Sequence, residues 1–355
     1  MIGEDERNGG LGRKLVAEMN ELTLARHGGL ALDNAARNRS LIGRGESIAA
    51  LRKDTVGAGD SAIVIAAGPS VRRRDPLKAI IESGYDGAIV ATESSMAYCL
   101  RNGVVPDLVV TLDPHATRIV RWFGDRSLSR ERLAADDYFS RQDMDPAFAD
   151  EVRANEQMLA LLDAHGRDIR IALSTSSSDA VVNRALETDM RVYWWNPMLD
   201  DPDDPESMTA QLQRDNGLPC MNAGGNVGTA CWMMAGAVLG RNHVALVGVD
   251  FSYYDDTPYL NTQYYREAVA LVGEENLDSL YIRIHNPYLD AWFYTDPAYM
   301  WYRECFLELA ADPEWHTYNC TEGGILFGDG IDFVPLADFL GRFAGEQSRR
   351  TTLKG

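Results

Sequence analysis

Lysine is almost absent from this sequence. Of the 34 basic residues, only Lys14, Lys53, Lys78 and Lys354 are lysine, and the others are arginine. A phosphate site in this chain must therefore rest on arginine, on backbone N–H groups or on a metal, because the lysine of the usual phosphate-binding loops is scarcely available.

Long apolar runs are also missing. No run reaches the roughly 18–20 residues that a membrane span needs, and the longest candidate, from Val227 to Gly240, is too short. The acidic N-terminus has neither the basic flank nor the apolar core of a secretory signal. The sequence therefore predicts a cytoplasmic chain with no membrane span.

Cysteine pairs are lacking as well. The five cysteines are Cys99, Cys220, Cys231, Cys305 and Cys320, an odd number with no C-x-x-C spacing. This pattern excludes a disulfide framework and a zinc site, and we expect no bound metal from it.

The charge balance excludes a further class of partner. With 53 acidic against 34 basic residues, the formal net charge is −19. Such a field repels nucleic-acid phosphates, and no basic stripe with interleaved aromatic residues offsets it. Apolar residues make up 45% of the 355 residues and charged residues 25%, which is a globular balance.

The organisation along the chain predicts one main domain with additions. Residues 1–58 are expected to form a helical N-terminal extension, either packed on the main body or serving as a partner-binding arm. The main α/β domain is expected over residues 59–345, with a helical insertion at about 115–167. Residues 346–355 are expected to be a tail.

Apolar strands alternate with helices from residue 61 onwards. Ala62–Ala67, Ala88–Thr92 and Asp107–Asp113 are separated by helical segments, so they form a βαβαβ unit. The continuous apolar run of the first strand is typical of a parallel strand covered on both faces. We therefore predict a doubly wound, mostly parallel, Rossmann-like sheet with right-handed crossovers.

Small, hydroxylic and acidic residues recur just after the predicted strands. They are Gly68, Pro69 and Ser70, then Thr92, Glu93 and Ser94, then Asp113, Asp250, Thr321 and Glu322. Because ligands of open α/β sheets bind beyond the carboxyl ends of the strands, these residues predict one shared site, although surface loops would look similar in part.

Two glycine-containing turns could hold a phosphate. The turn Gly68-Pro69-Ser70 is expected to expose backbone N–H groups, and Gly224, Gly225 and Asn226 precede an apolar helix whose N-terminus favours an anion. Neither turn is a Walker loop or a G-x-G-x-x-G fingerprint. An ordinary strand-to-helix turn, and close packing of a helix on a sheet, would use the same residues.

Aromatic residues follow the predicted strand end at Asp250. Tyr253, Tyr254 and Tyr259 offer hydroxyls that can bind a phosphate or a sugar and rings that can stack on a base. An aromatic surface cluster or an oligomer contact is the alternative interpretation.

Histidine is the usual general base near neutral pH. Three histidines are expected near strand ends or in loops: His115, His285 and His316, with His285 in a loop after the aromatic segment. The other three are expected to be solvated or structural: His27, His165 and His243.

Several of these segments resemble a known domain. The domain is shared by bacterial motility accessory factor (Maf) proteins and archaeal 6-hydroxymethylpterin diphosphokinase-like proteins. The segments that carry the resemblance are Ile63–Ser70, Ala91–Met96, Val105–Pro114, Gly224–Gly228 and Leu246–Phe251, and Tyr318–Gly324 resembles the Maf version in particular. The similarity is expected over about residues 60 to 330, which leaves residues 1–58 outside it.

The Maf resemblance implies a glycosyltransferase. Maf proteins are similar in fold to bacterial sialyltransferases, which use a CMP-activated nonulosonic acid and need no further cofactor. By this resemblance Tyr253 or Tyr254, together with Tyr259, binds the donor phosphate and His285 is the base. The implied partners are a nucleotide-sugar donor and, as acceptor, flagellin or another surface protein or glycan.

Two other functions stay open. The diphosphokinase resemblance implies ATP with Mg²⁺, with Asp113 and Asp250 as metal ligands. That group tends to carry Asp-Leu-Asp where this chain has Thr111-Leu112-Asp113, so the glycosyltransferase is preferred. The second alternative is a non-catalytic nucleotide-binding or interaction protein. If no histidine is the base, Asp113 or Asp250 is the next candidate.

Overall fold

The centre of the fold is a parallel β-sheet, seen in a computed structural model that describes residues 9–116, 122–129, 131 and 151–344. Its ten strands are β1 (Glu46–Ser47), β2 (Ser61–Ile65), β3 (Ala88–Thr92), β4 (Leu108–Val110), β5 (Arg170–Ser174), β6 (Arg191–Pro197), β7 (Cys220–Met221), β8 (His243–Val247), β12 (His316–Asn319) and β13 (Ile331–Phe333). They run in the order β1-β6-β5-β4-β3-β2-β8-β12-β13, and β7 also pairs with β6. All of these pairings are parallel. The predicted α/β class with a doubly wound, mostly parallel sheet is therefore confirmed.

Helices cover both faces of this sheet. The α-helices in the part of the chain that the structure describes are α1 (Gly10–Val16), α2 (Met19–Asn38), α3 (Ser70–Arg74), α4 (Pro76–Glu82), α5 (Glu93–Arg101), α6 (Glu151–His165), α7 (Asp179–Glu187), α8 (Met208–Asn216), α9 (Val227–Met233), α10 (Tyr265–Val272), α11 (Pro297–Ala310) and α12 (Leu336–Phe343). A π-helical segment, Met234–Val238, continues α9.

Strand β2 shows why the sheet lies between two layers. Every residue of β2 is buried, and successive side chains of a strand point to opposite faces. Ala62 and Val64 pack on the face that carries α9, while Ile63 and Ile65 pack on the face that carries α4 and α12. The uninterrupted apolar run in the sequence follows from this two-sided burial.

The strand order reverses beside β2. Strand β3 follows β2 in the chain and lies on one side of it, whereas β8 lies on the other side. In open α/β sheets such a reversal leaves a crevice beyond the carboxyl ends of the two strands. Here the crevice is bordered by the segments that follow β2 and β8.

The N-terminal segment packs against the main body. Strand β1 extends the sheet by pairing with β6, and α1 packs on α11 and on the strand at Ile282–Asn286. The amide groups of Asn34 and Asn38, both in α2, donate to backbone carbonyls at the ends of β4 and β5. The segment thus forms part of the sheet and of the wall above its carboxyl ends.

A second, antiparallel sheet lies next to the main one. Its strands are β9 (Tyr253–Tyr254), β10 (Ile282–Asn286) and β11 (Ala291–Thr295), in the order β10-β11-β9. The expectation of a loop around His285 is wrong, because His285 lies in β10 and pairs with Trp292 of β11. A tight turn with Asp290 at φ +48° joins the two strands.

Parts of the predicted organisation lie outside the described residues. Helix α6 occupies the end of the predicted insertion, but residues 117–121, 130 and 132–150 are not described, nor are residues 1–8 or the expected tail. Among the described helices, none has both the length and the apolar character needed to cross a membrane.

Candidate functional site

A large cleft lies across the carboxyl ends of the central strands. It encloses about 2240 Å³. The sequence-predicted site residues that line it are Gly68, Pro69, Thr92, Glu93, Ser94, Asp113, Gly224, Gly225, Asn226, Asp250 and Tyr253. The predicted site residues that do not line it are Ser70, Tyr254, Tyr259, His285, Thr321 and Glu322. The predicted strand-end residues therefore come together in part.

The turn after β2 is bound to the segment after β8. The backbone N–H and the hydroxyl of Ser70 both donate to Asp250, at 3.1 and 2.7 Å. The N–H of Gly68 donates to the carbonyl of Gly248 at 2.9 Å, and proline has no N–H. The expectation that this turn exposes N–H groups to a phosphate is therefore wrong for Gly68 and Ser70, because the end of β8 accepts both of their N–H groups.

Asp250 is the buried centre of this junction. It is 2% exposed, and burial raises the pKa of its carboxyl to about 7, against two hydrogen bonds from Ser70 that lower it. Its backbone carbonyl accepts from Ile325, in the loop after β12. Gly324, at φ +71°, lies against the Asp250 backbone, where a Cβ would overlap it. Asp250 thus joins three strand ends.

The turn before α9 faces the same crevice. Gly224 and Gly225 have φ of +54° and +73°, and the side chain of Asn226 caps the helix by accepting from the N–H of Thr229 at 2.9 Å. A Cβ added at Gly228 would lie 3.9 Å from the Cβ of Ala66. The N-terminus of α9 therefore lies over the end of β2. The first N–H groups of the helix have no acceptor within the helix itself.

The residues after β3 begin α5. The hydroxyl of Thr92 accepts from the N–H of Ser95 at 3.1 Å and lies 3.0 Å from the hydroxyl of Ser94. Glu93 is 3% exposed and lies in the first turn of the helix. A carboxylate at that position is stabilised by the partial positive charge of the helix N-terminus.

The three predicted tyrosines have different surroundings. Tyr253 lines the cleft, is buried, and donates to Asp296 at 3.1 Å. The guanidinium of Arg73 lies over the ring of Tyr254, 3.8 Å from the centroid of the ring. Tyr259 stacks on Tyr281 with centroids 4.2 Å apart and lines a separate cavity of about 430 Å³.

The loop after β12 packs against the junction between the turn after β2 and the segment after β8. The hydroxyl of Thr321 accepts from the N–H of Val249 at 3.2 Å. Glu322 has φ +51°, and its carbonyl accepts from Arg74 of α3 at 3.2 Å. Thr321 thus connects this loop to the segment after β8, Glu322 connects it to α3, and neither residue lines the cleft.

The expected histidine candidates do not reach the cleft. His285 lies on the exposed hairpin, where its Nε2 is 3.1 Å from Asp290. His316 is the first residue of β12, and its ring stacks on that of His243 with centroids 5.4 Å apart. His115 uses its backbone N–H to donate to the Asp113 carboxylate at 2.8 Å.

A different histidine lies in the cleft. His27, in α2, is half-buried and lines it together with Asp113. Burial lowers the pKa of His27, the Asp113 carboxylate raises it, and Arg26 lowers it further. The polar helical context of His27 indicated a solvated side chain. No signal in the sequence placed His27 in the cleft, because the burial of Asn34, seven residues later on the same face of the helix, arises only in the tertiary structure.

The two carboxylates proposed as Mg²⁺ ligands do not suit that role together. Mg²⁺ needs oxygen ligands that are open to it and to substrate phosphates, whereas both oxygens of Asp250 accept hydrogen bonds from Ser70. In the part of the chain that the structure describes, no group of three or more His, Cys, Asp or Glu side chains could hold a metal ion.

Fold and cleft together define the class: a Rossmann-like α/β protein with a ligand-sized cleft at its topological switch point. A family model described as 6-hydroxymethylpterin diphosphokinase MptE-like matches residues 32–123. The resemblance to 6-hydroxymethylpterin diphosphokinase-like proteins is thus confirmed over this part of the chain. The match begins at residue 32, inside the N-terminal segment that the resemblance was expected to leave out.

Two further comparisons complete these findings. The chain is similar to the solved structure of a Maf glycosyltransferase from Magnetospirillum magneticum AMB-1, with 14% sequence identity and a TM-score of 0.47. That similarity covers 81% of this chain and 37% of the other, so this chain spans well under half the length of that protein. No curated protein matches the chain.

Proposed function

We propose that this protein is a nucleotide-dependent transferase that moves a nonulosonic, sialic-acid-like sugar from a CMP-activated donor to a hydroxyl of a protein or glycan. The observation that carries the proposal is the position of the α9 N-terminus over the end of β2, inside the switch-point cleft. A flagellin or another surface protein as acceptor, and a cytoplasmic location, belong to this proposal.

The size of the cleft supports a reaction with two substrates. Sites for a single small ligand usually enclose about 300–1,000 Å³, and this cleft encloses about 2240 Å³. A nucleotide-sugar can therefore occupy the part near β2 and leave room for the acceptor.

The donor phosphate fits best at the start of α9. The amides of Val227 and Gly228 are in the first helical turn and point along the helix axis towards the cleft, where the helix dipole favours an anion. Arg72, in α3, lines the same cleft and can add a charge-assisted hydrogen bond. The proposed phosphate site thus uses N–H groups and arginine, as the scarcity of lysine requires.

The base of the nucleotide is placed between Glu93, at the end of β3, and the aromatic residues Trp301 and Tyr302. The Glu93 carboxylate lines the cleft and is a suitable acceptor for the amino group of cytosine. Trp301 packs so closely on Gly225 that a Cβ added at Gly225 would lie 2.5 Å from its ring. Trp301 and Tyr302 also line the cleft and offer faces for stacking.

The second candidate function is an ATP-dependent diphosphokinase. The description of the matching family model favours it. Both carboxylate oxygens of Asp250 accept hydrogen bonds from Ser70, which counts against Asp113 and Asp250 as the Mg²⁺ ligands that this reaction would need. We therefore rank it second.

Calorimetry with CMP, CDP, UDP, ATP and GTP, each with and without Mg²⁺, tests the proposal. We expect CMP to bind without metal. The Arg72→Ala variant should bind CMP ~10-fold or more weakly, the scale of a lost charge-assisted hydrogen bond. Arg74→Ala is the matched control from the same helix, since Arg74 bonds the Glu322 carbonyl and does not line the cleft.

Each other result has a defined meaning. Binding of ATP only with Mg²⁺ would favour the diphosphokinase. Binding of none of the five nucleotides would favour the non-catalytic interaction protein. Equal weakening in the Arg72 and Arg74 variants would contradict the phosphate site but not nucleotide binding.

A further inference from the structure

Helix α2 is fixed above the ends of β4 and β5. The side-chain amide of Asn34 donates to the carbonyls of Pro114 and Ser176 at 2.9 and 2.8 Å. That of Asn38 donates to the carbonyls of Thr175 and Ser177 at 2.8 and 2.7 Å. Both asparagines are 1% exposed. These four hydrogen bonds, three of which are buried, therefore determine where this helix crosses the cleft.

His27 lies on the anchored face of this helix. Seven residues separate it from Asn34, which is close to two helical turns and returns to the same face. It lines the cleft with Asp113 and is half-buried. Among the described residues, the charged groups that act on its pKa are Asp113, which raises it, and Arg26, which lowers it; Glu267 of α10 lies 3.7 Å from Arg26. Burial has the largest effect and keeps His27 mainly neutral at pH 7.

Asp113 is held in position by a hydrogen bond within its own turn. It follows β4, and one of its oxygens accepts the N–H of His115 at 2.8 Å. This bond fixes the carboxylate at the cleft, where its field acts on the imidazole of His27. A carboxylate beside a neutral histidine stabilises the imidazolium that forms when the histidine accepts a proton.

Ser176, which follows β5, supplies an independent sign of a ligand. It is 1% exposed and lines the cleft, and its hydroxyl has no hydrogen-bond partner among the described residues. Buried hydroxyls without a partner are costly, and the great majority are paired. A polar ligand atom in this part of the cleft would satisfy it.

We propose that His27, Asp113 and Ser176 form the subsite for the acceptor hydroxyl, with His27 as the general base. This proposal deepens the proposed function and rests on it. Ser176 binds the acceptor oxygen, and His27 takes its proton. The oxygen then forms a bond to the anomeric carbon, the bond from that carbon to the phosphate oxygen breaks, and its electron pair leaves with CMP. Asp113 is a positioning residue that stabilises the protonated His27.

Release of CMP from CMP-sialic acid, with water as the acceptor, tests the base in the full-length protein. His27→Gln should lower the rate ~10²–10⁴-fold, the usual scale for a general base, while CMP affinity stays the same. His285→Gln is the control, since that side chain lies on the hairpin outside the cleft. Normal turnover by His27→Gln would overturn the proposal.

The two other residues need a readout beyond loss of rate. The rate should fall at low pH as His27 is protonated, and in Asp113→Asn this fall should move to lower pH because the charge that raises the His27 pKa is gone. Ser176→Ala should raise KM for a sugar acceptor more than it lowers kcat. An unmoved pH profile would contradict the role of Asp113.

An NMR titration of the histidine ring signals, assigned with His27→Gln, decides the His27–Asp113 pair without any activity. The pKa of His27 should fall in Asp113→Asn and stay the same in Asp290→Asn, whose carboxylate faces His285. If His27 titrates identically in all three proteins, the pair does not exist. If the pair is present but the wild-type protein neither binds CMP nor releases it from CMP-sialic acid, the proposed function has failed, and with it the role of His27 as base.

Discussion

Replacing Asp250 with asparagine should change how the stability of the protein depends on pH. Burial raises the pKa of this carboxyl from 3.8 to about 7 in the folded protein. Because the folded state holds the proton more tightly than the unfolded chain, this group contributes stability that is fully present below about pH 4. That contribution is lost as the pH rises towards 7.

The magnitude follows from the size of the shift. Each pKa unit corresponds to ~1.4 kcal/mol, so the contribution declines by ~1.4 kcal/mol per pH unit between about pH 4 and 7, and by roughly 4 kcal/mol in all. Asparagine has nearly the same shape and does not titrate here. Its oxygen can accept from the Ser70 N–H and its amide can donate to the Ser70 hydroxyl, so the junction should stay intact.

Urea unfolding of both proteins between pH 4 and 8 measures this effect. The free energy of unfolding of the wild type, minus that of Asp250→Asn, should fall by about 3–4 kcal/mol across the range. Asp256→Asn is the control, because Asp256 is exposed and Arg73 lowers its pKa. The free energy of unfolding of the wild type, minus that of Asp256→Asn, should therefore not fall with rising pH. Parallel pH profiles for the wild type and Asp250→Asn would refute the buried, proton-holding state of Asp250.

Two further predictions concern the elements that form the cleft. Gly324→Ala should lower the free energy of unfolding by ~3 kcal/mol or more, because the added Cβ overlaps the Asp250 backbone. Gly217→Ala is the control, since Gly217 has a similar φ of +70° but open space around it, and it should cost only ~1 kcal/mol. Equal losses of the two variants in urea unfolding would contradict the steric argument. Asn38→Ala should lower the free energy of unfolding by ~2–3 kcal/mol in the same assay, because two buried carbonyls lose their donor. Asn102→Ala, at an exposed position, is the control and should lower it by less than ~1 kcal/mol. A negligible loss in Asn38→Ala would mean that α2 is held by other contacts.

The sequence alone determined the class of the main sheet and the position of most of its strands. Strands β2, β3 and β8 are buried on both faces, and this two-sided burial requires an uninterrupted apolar run that can be read locally. The same holds for the turn before α9, because glycines at positive φ and an asparagine cap are local requirements of a helix that begins there.

Only the tertiary structure decided which strand ends meet. Ser70 and Asp250 are 180 residues apart, and their hydrogen bonds exist because β2 and β8 are neighbours in the sheet. That pairing consumes the N–H groups that the turn was expected to offer a phosphate. Nothing in the local sequence reveals it, since the order of parallel strands depends on how whole layers pack.

The same reason explains the histidines. His285 lies in a short strand of the antiparallel hairpin, outside the lining of the cleft. His27 looks like a surface residue of a polar helix, and it reaches the cleft because Asn34 and Asn38 anchor that helix across the ends of β4 and β5. The segment around a side chain determines the face of the helix or strand on which the side chain lies. The partners of that face depend on contacts between residues that are far apart in the chain.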